Sequence, residues 1–104
     1  MRVAIVGVLQ GTLWPRSLAV DVHDVSENGL AVESPEPLAT GATYRLELSG
    51  PSGTVEIEGT VVHCLRLNQL DGRVRYLLGL LVTNPMKMPE VVARVAPDVL
   101  QPTA

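Results

Sequence analysis

The residues that place the most chemistry in the shortest span are Asp24, Ser26 and Gly29, in the run Asp24-Val25-Ser26-Glu27-Asn28-Gly29. On an extended chain residues two apart share a face, so the Asp24 carboxylate and the Ser26 hydroxyl stand side by side as hydrogen-bonding groups. Glu27-Asn28-Gly29 is a turn signal, because Asn and Gly tolerate positive φ, and Gly29 lets the chain reverse sharply. Two readings fit these residues: a turn that caps its own hairpin through Asx or Ser hydrogen bonds, and an acceptor-rich corner open to a ligand.

Arg16, after Trp14-Pro15, and the pair Arg73/Arg75 beside a turn are further candidates for contact with an anion. Solvated surface charge explains the same positions. A catalytic reading would have to use His23, His63, Cys64 and the carboxylates. His63 and Cys64 are neighbours on one expected strand and point to opposite faces, as do His23 and Asp24, which spoils both as working pairs. The sequence holds no phosphate-cradling glycine loop, no His-x-x-x-His pair and no nucleophile elbow. The reading is therefore a binding module and not an enzyme, with no catalytic residue, metal ligand or cofactor expected.

The single cysteine, Cys64, excludes an internal disulfide framework and a multi-cysteine zinc site. At 104 residues, with 46% hydrophobic and 18% charged residues, the chain has the size and balance of one globular domain, expected over residues 1–96, with 97–104 as a flexible tail. A net charge of −3 argues against a wide grip on DNA or RNA, whose affinity rests on neutralising phosphates. Phe is absent and aromatic residues make up only 3%, so the core must come from Val, Leu, Ile and Ala, and base stacking on an aromatic platform is not expected. The apolar start Met1 to Leu9 is too short and lacks the cleavage site of a signal peptide. No run approaches the length that crosses a bilayer, so the expected location is the cytoplasm, without membrane insertion.

Elements follow from periodicity. Val3 to Leu9, ended by Gly11, reads as a first strand, and Ser17 to Val25 alternates Leu18, Val20, Val22 with Ala19, Asp21, His23 as a second. A hairpin at Glu27-Asn28-Gly29 leads to a short strand with Leu30 and Val32, closed by Pro35 and Pro37. Tyr44 to Leu48, Thr54 to Leu67 and Arg73 to Val82 follow, with a bend or bulge near Gly59 expected to explain why both faces turn apolar at Val62 and Cys64. A helix is predicted from Pro89 to Val95. The C-terminal helix is expected to fold over Leu77 and Leu81, on the outer face of the last strand; left uncovered, these would suit a second copy or another protein. Six strands on one core give a mainly β fold, a small antiparallel barrel with a short C-terminal helix.

That order of elements, with Leu18-Ala-Val-Asp-Val-His-Asp-Val-Ser-Glu-Asn-Gly-Leu-Ala-Val32, Pro37-Leu-Ala-Thr-Gly41 and Tyr76-Leu-Leu-Gly-Leu80, resembles the PilZ domain family over roughly residues 3 to 83. The resemblance implies a six-stranded barrel, a bacterial source and a receptor for the second messenger cyclic di-GMP. It also implies that Asp24, Ser26 and Gly29 grip one guanine, the carboxylate accepting from the amino edge while glycine lets backbone approach. The family's Arg-x-x-x-Arg clamp is not matched: none of the arginines has another four residues away, and Arg2 could stand only for its last member. Losing two charged hydrogen bonds, at ~1.5–3 kcal/mol each, weakens binding by roughly a hundredfold or more. The expectation is a module that binds cyclic di-GMP weakly or not at all and acts by contact with another protein. The alternative is a competent receptor using Arg2, Arg16 or arginines from a segment ahead of Met1.

Overall fold

The computed structural model describes residues 3–4 (backbone only), 9–82 and 87–97. The strands are β1 (Val3–Ala4), β2 (Gln10–Trp14), β3 (Leu18–Ser26), β4 (Gly29–Ser34), β5 (Thr43–Gly50), β6 (Gly53–Asn68) and β7 (Val74–Val82), followed by helix α1 (Met88–Val95). Every pairing is antiparallel, in the order β3-β2-β5-β6-β7-β4, and β4 pairs back onto β3. Six strands thus close into a barrel, with β1 added beside β3 at Asp24 and Val25.

Alternation fills the inside. Leu13, Val22, Leu46, Leu48, Val61 and Leu78 are all essentially inaccessible to solvent, and they are the branched aliphatics that a chain without Phe must use. The helix completes this core: Met88, Val91, Val92 and Val95, at helical spacing, are buried in the same cluster. It spans one mouth of the barrel. Its first N–H, at Met88, donates to Glu27 O at the β3–β4 turn, and Val95 O accepts from Ser52 N at the β5–β6 turn.

Four sequence expectations change. Of the strand expected over Val3 to Leu9, residues 5–8 lie outside the described part; Gly11 does not end a strand but sits within β2, between Val20 and Leu48. The irregularity in β6 falls between Val61 and His63, not near Gly59, which pairs normally with Tyr44 and Val82. The helix does not cover the outer face of β7: its apolar side faces the barrel interior, where four fully buried side chains gain more than a half-covered surface would give, and Leu81 remains 46% exposed. Lastly, neither Asn28 nor Gly29 has positive φ. Glycine is required at 29 because a Cβ there would stand 2.6 Å from Leu80 O. The expected tail largely falls outside the described residues, from 98 onward.

Candidate ligand-binding corner

Two β-bulges decide which side chains reach the outer surface. In β3 the register shifts between Val22 and Asp24, so that His23 is the extra residue. Leu18, Val20 and Val22 point inward, and without the shift Asp24 and Ser26 would follow them into the core. With it, Val25 turns inward, at 1% exposure, and Asp24 and Ser26 turn out. The same device operates in β6, where Val62 is the extra residue: Val61 is buried, and His63, which would have shared its face, is exposed.

The two corrections meet in one row across the sheet. Asp24 pairs with Ala31, Ala31 with Gly79, and Gly79 with His63. A carboxylate and an imidazole thus stand at the ends of a floor made by the two smallest side chains available. The next row towards the helix is Ser26, Gly29, Leu81 and Thr60. Between these rows lies a cavity of about 160 Å³ whose lining includes Ser26, Asn28, Gly29, His63, Gly79 and Leu81, but not Asp24.

The corner is braced from below. Ser26 Oγ donates to Gly29 O at 3.4 Å, closing the turn. Lys87 Nζ donates to Asn28 Oδ1 at 2.9 Å and lies 3.4 Å from Glu27 Oε1, while Val82 N donates to Asn28 O. The turn is therefore joined to the start of the helix on both of its exposed residues. Asp24 also has a partner of its own. Ser26 caps the turn, and Asp24 and Ser26 lie on the outer face.

The candidate arginines are placed elsewhere. Arg16 pairs with Glu36 at 2.7 Å and precedes β3, whose six-residue rise to Asp24 spans about 20 Å. The strand expected from Arg73 begins at Val74, so Arg73 lies before β7 and not on it; it pairs with Asp71 beside the β6–β7 turn. Arg75 donates from Nε to Glu33 Oε2 at 2.9 Å and from Nη2 to Asp21 Oδ2 at 3.4 Å, and His23 Nε2 lies 3.3 Å from Glu33 Oε1. Each of these candidate anion contacts faces a carboxylate, near in sequence for Arg73 and distant for Arg16 and Arg75. Arg2 lies outside the described residues.

His63 faces out while Cys64 packs against the core. Among the described residues no cluster of three or more His, Cys, Asp or Glu has a geometry that could hold a metal. No helix among them is long and apolar enough to cross a membrane. That Ala31, Gly79 and His63 share a row with Asp24 is not legible in the sequence. The available signal was the break in parity, because polar Asp24 and Ser26 continue the parity of Leu18, Val20 and Val22, which a core cannot accept without a bulge.

Comparison with known proteins agrees with this architecture. The "PilZ domain with c-di-GMP of YcgR from Escherichia coli" superposes with a TM-score of 0.64 at 13% identity, covering 81% of this chain and 76% of that one. No curated protein matches the chain. The model of the PilZ domain family matches residues 2–96, the barrel and its helix together, and the chain belongs to that family.

Proposed function

We propose that this protein is a bacterial signalling module of the PilZ type whose own hold on cyclic di-GMP is weak and whose output is contact with another protein. The observation that carries this reading is the corner itself. Among the described residues no arginine lines its cavity of about 160 Å³, and that volume falls below the roughly 300–1,000 Å³ of ordinary small-molecule sites. Room for one base is present; a cationic cradle for two phosphates is not among the lining groups. Arg16, Arg73 and Arg75 are already paired with carboxylates, and recruiting any of them would break an existing ion pair.

The surroundings favour protein contact. Val62, Leu65 and Leu81 are 51%, 57% and 46% exposed on β6 and β7, in or beside the rows that flank His63. Apolar groups around a cavity whose described lining holds no Lys, Arg, Asp or Glu suit a protein surface better than a dinucleotide diester. The alternative, a competent receptor, rests on the outward placement of Asp24 and Ser26 and on the ligand named for the Escherichia coli neighbour. In that reading Arg2 would supply the charge, since Arg16 stands too far away. No reaction is assigned, and the working location is the cytoplasm.

Calorimetric titration with cyclic di-GMP distinguishes the two. A dissociation constant weaker than about 10 μM is expected from the loss of two charged contacts. Low-micromolar or tighter affinity overturns the weak-binding reading in favour of the receptor. Leu65→Asp is expected to abolish capture of a bacterial partner without changing that affinity.

A further inference from the structure

The chain holds one Trp, two Tyr and no Phe, and two of those three rings meet on one side of the barrel. Trp14, the last residue of β2, stands opposite Arg45 on β5, and Arg45 stands opposite Glu58 on β6, so the three form one cross-strand row. Leu13 and Leu46 beside them are fully buried, which puts this row on the outer face. Tyr44 has the opposite parity and packs against the core, yet it is only half-buried, whereas Trp14 belongs to no part of the core cluster. With Pro15 and Thr43 these residues line a groove of about 250 Å³. It stands apart from the corner and from Val62, Leu65 and Leu81. Its border is negative. Arg45 Nε lies 3.6 Å from Glu56 Oε2, and its guanidinium sits 6.0 Å from the centroid of the Trp14 ring. Glu47 and Glu56 are directly opposite each other, a placement that like charges disfavour. Among the described residues neither Glu47 nor Glu58 has an ion-pair partner.

These features specify an occupant. Three carboxylates against one guanidinium repel nucleic acid, anionic lipid and a second copy of this acidic chain, and they attract a cation. Arg45 already lies over the indole, so a second cation is kept off the ring, which is left for an uncharged apolar group. Extended polyproline segments lie in grooves walled by aromatic side chains, with their rings packed against apolar faces. We infer that the Trp14 groove is a docking site for an extended, proline-containing segment of another protein that carries a basic residue: the prolines pack on Trp14 and Tyr44, and Glu58 takes the cation. The inference goes beyond the corner and stands whether or not cyclic di-GMP binds there.

Because Trp14 is the chain's single Trp, indole fluorescence reports on this groove directly. The test titrates the full chain with a synthetic polyproline peptide flanked by arginines, and with its glutamate-flanked and alanine-for-proline analogues, read by indole emission and by amide NMR. The arginine-flanked peptide is expected to shift the indole signal and the Trp14, Tyr44, Arg45 and Glu58 amides with a dissociation constant of about 100 μM or tighter, and each analogue to bind at least about tenfold more weakly. Glu58→Lys, a change at an exposed position, is expected to weaken the arginine-flanked peptide about tenfold while thermal unfolding stays near that of the parent. Trp14→Ala is expected to abolish the amide shifts; should that variant fail to fold, Glu58→Lys decides. No response at ~1 mM of the arginine-flanked peptide, equal binding of the alanine analogue, or unchanged affinity in Glu58→Lys overturns the inference. So does an indole signal that responds to concentrating the chain alone, which assigns the groove to a second copy, or to a trimethyllysine peptide without proline. Each of these failures leaves the cyclic di-GMP titration and the Leu65→Asp capture unchanged.

Discussion

Two neighbouring stretches of the same outer surface, on the same four strands, are built in opposite ways. The row Asp24, Ala31, Gly79, His63 places polar groups at its ends and almost nothing between them. The row below it, Asp21, Glu33, Leu77, Leu65, carries a guanidinium from Arg75 that joins Glu33 and Asp21, with His23 on the far oxygen of Glu33. There the charges complete one another: side chains of Arg75 and Glu33 are only 22% and 16% exposed. In the upper row the floor between Asp24 and His63 is one methyl group and one glycine, with the His63 ring lying against the glycine. Where an arginine sits is therefore less informative than which carboxylate it faces.

The comparison can be broken at several points. The largest effect is expected at Gly29→Ala, where the new Cβ would press on a backbone oxygen that cannot swing away; overpacking of this kind costs about 2–3 kcal/mol, measured by urea unfolding. A loss below about 0.5 kcal/mol would show that the corner yields and is not a fixed site. Next comes Asp24→Ala, expected to weaken cyclic di-GMP at least tenfold through one charged hydrogen bond, with calorimetry as the check. Arg75→Ala should leave that affinity unchanged, and a matching loss there would mean that the lower row takes part in binding.

Smaller effects concern stability of the lower row. Glu33→Ala removes the acceptor at 2.9 Å and leaves a half-buried guanidinium with Asp21 alone, which is expected to lower stability by about 1 kcal/mol in denaturant titrations. Arg16→Ala ends an ion pair whose partners are both well exposed; a change under about 0.5 kcal/mol is expected, as for surface pairs generally.

Much of the barrel was legible because alternation is local. Leu18, Val20 and Val22 in β3 announce an inward face, and the spacing of Val91, Val92 and Val95 announces a helix, each from a few residues. What could not be read depends on partners distant in sequence. Gln10–Trp14 became a strand because β3 and β5 offer it edges on both sides, although Gly11 looked like a terminator. Arg75 was a plausible anion contact until Glu33, distant along the chain, took its guanidinium. The helix was assigned correctly but to the wrong surface, since nothing in its own sequence distinguishes an open barrel mouth from an outer face. Asp24, Ser26 and Gly29 stand close together in the sequence itself, whereas His63 comes to the same surface only through the register of β6 on β7 and the bulge at Val62.

The most direct test follows backbone amides of the whole chain during titration with cyclic di-GMP. The account predicts shifts confined to Asp24–Ala31, Val62, His63 and Gly79–Leu81, with none at Asp21, Glu33 or Arg75, and saturation only above about 10 μM. Saturation at or below low-micromolar dinucleotide, or shifts centred on Arg75, would contradict it.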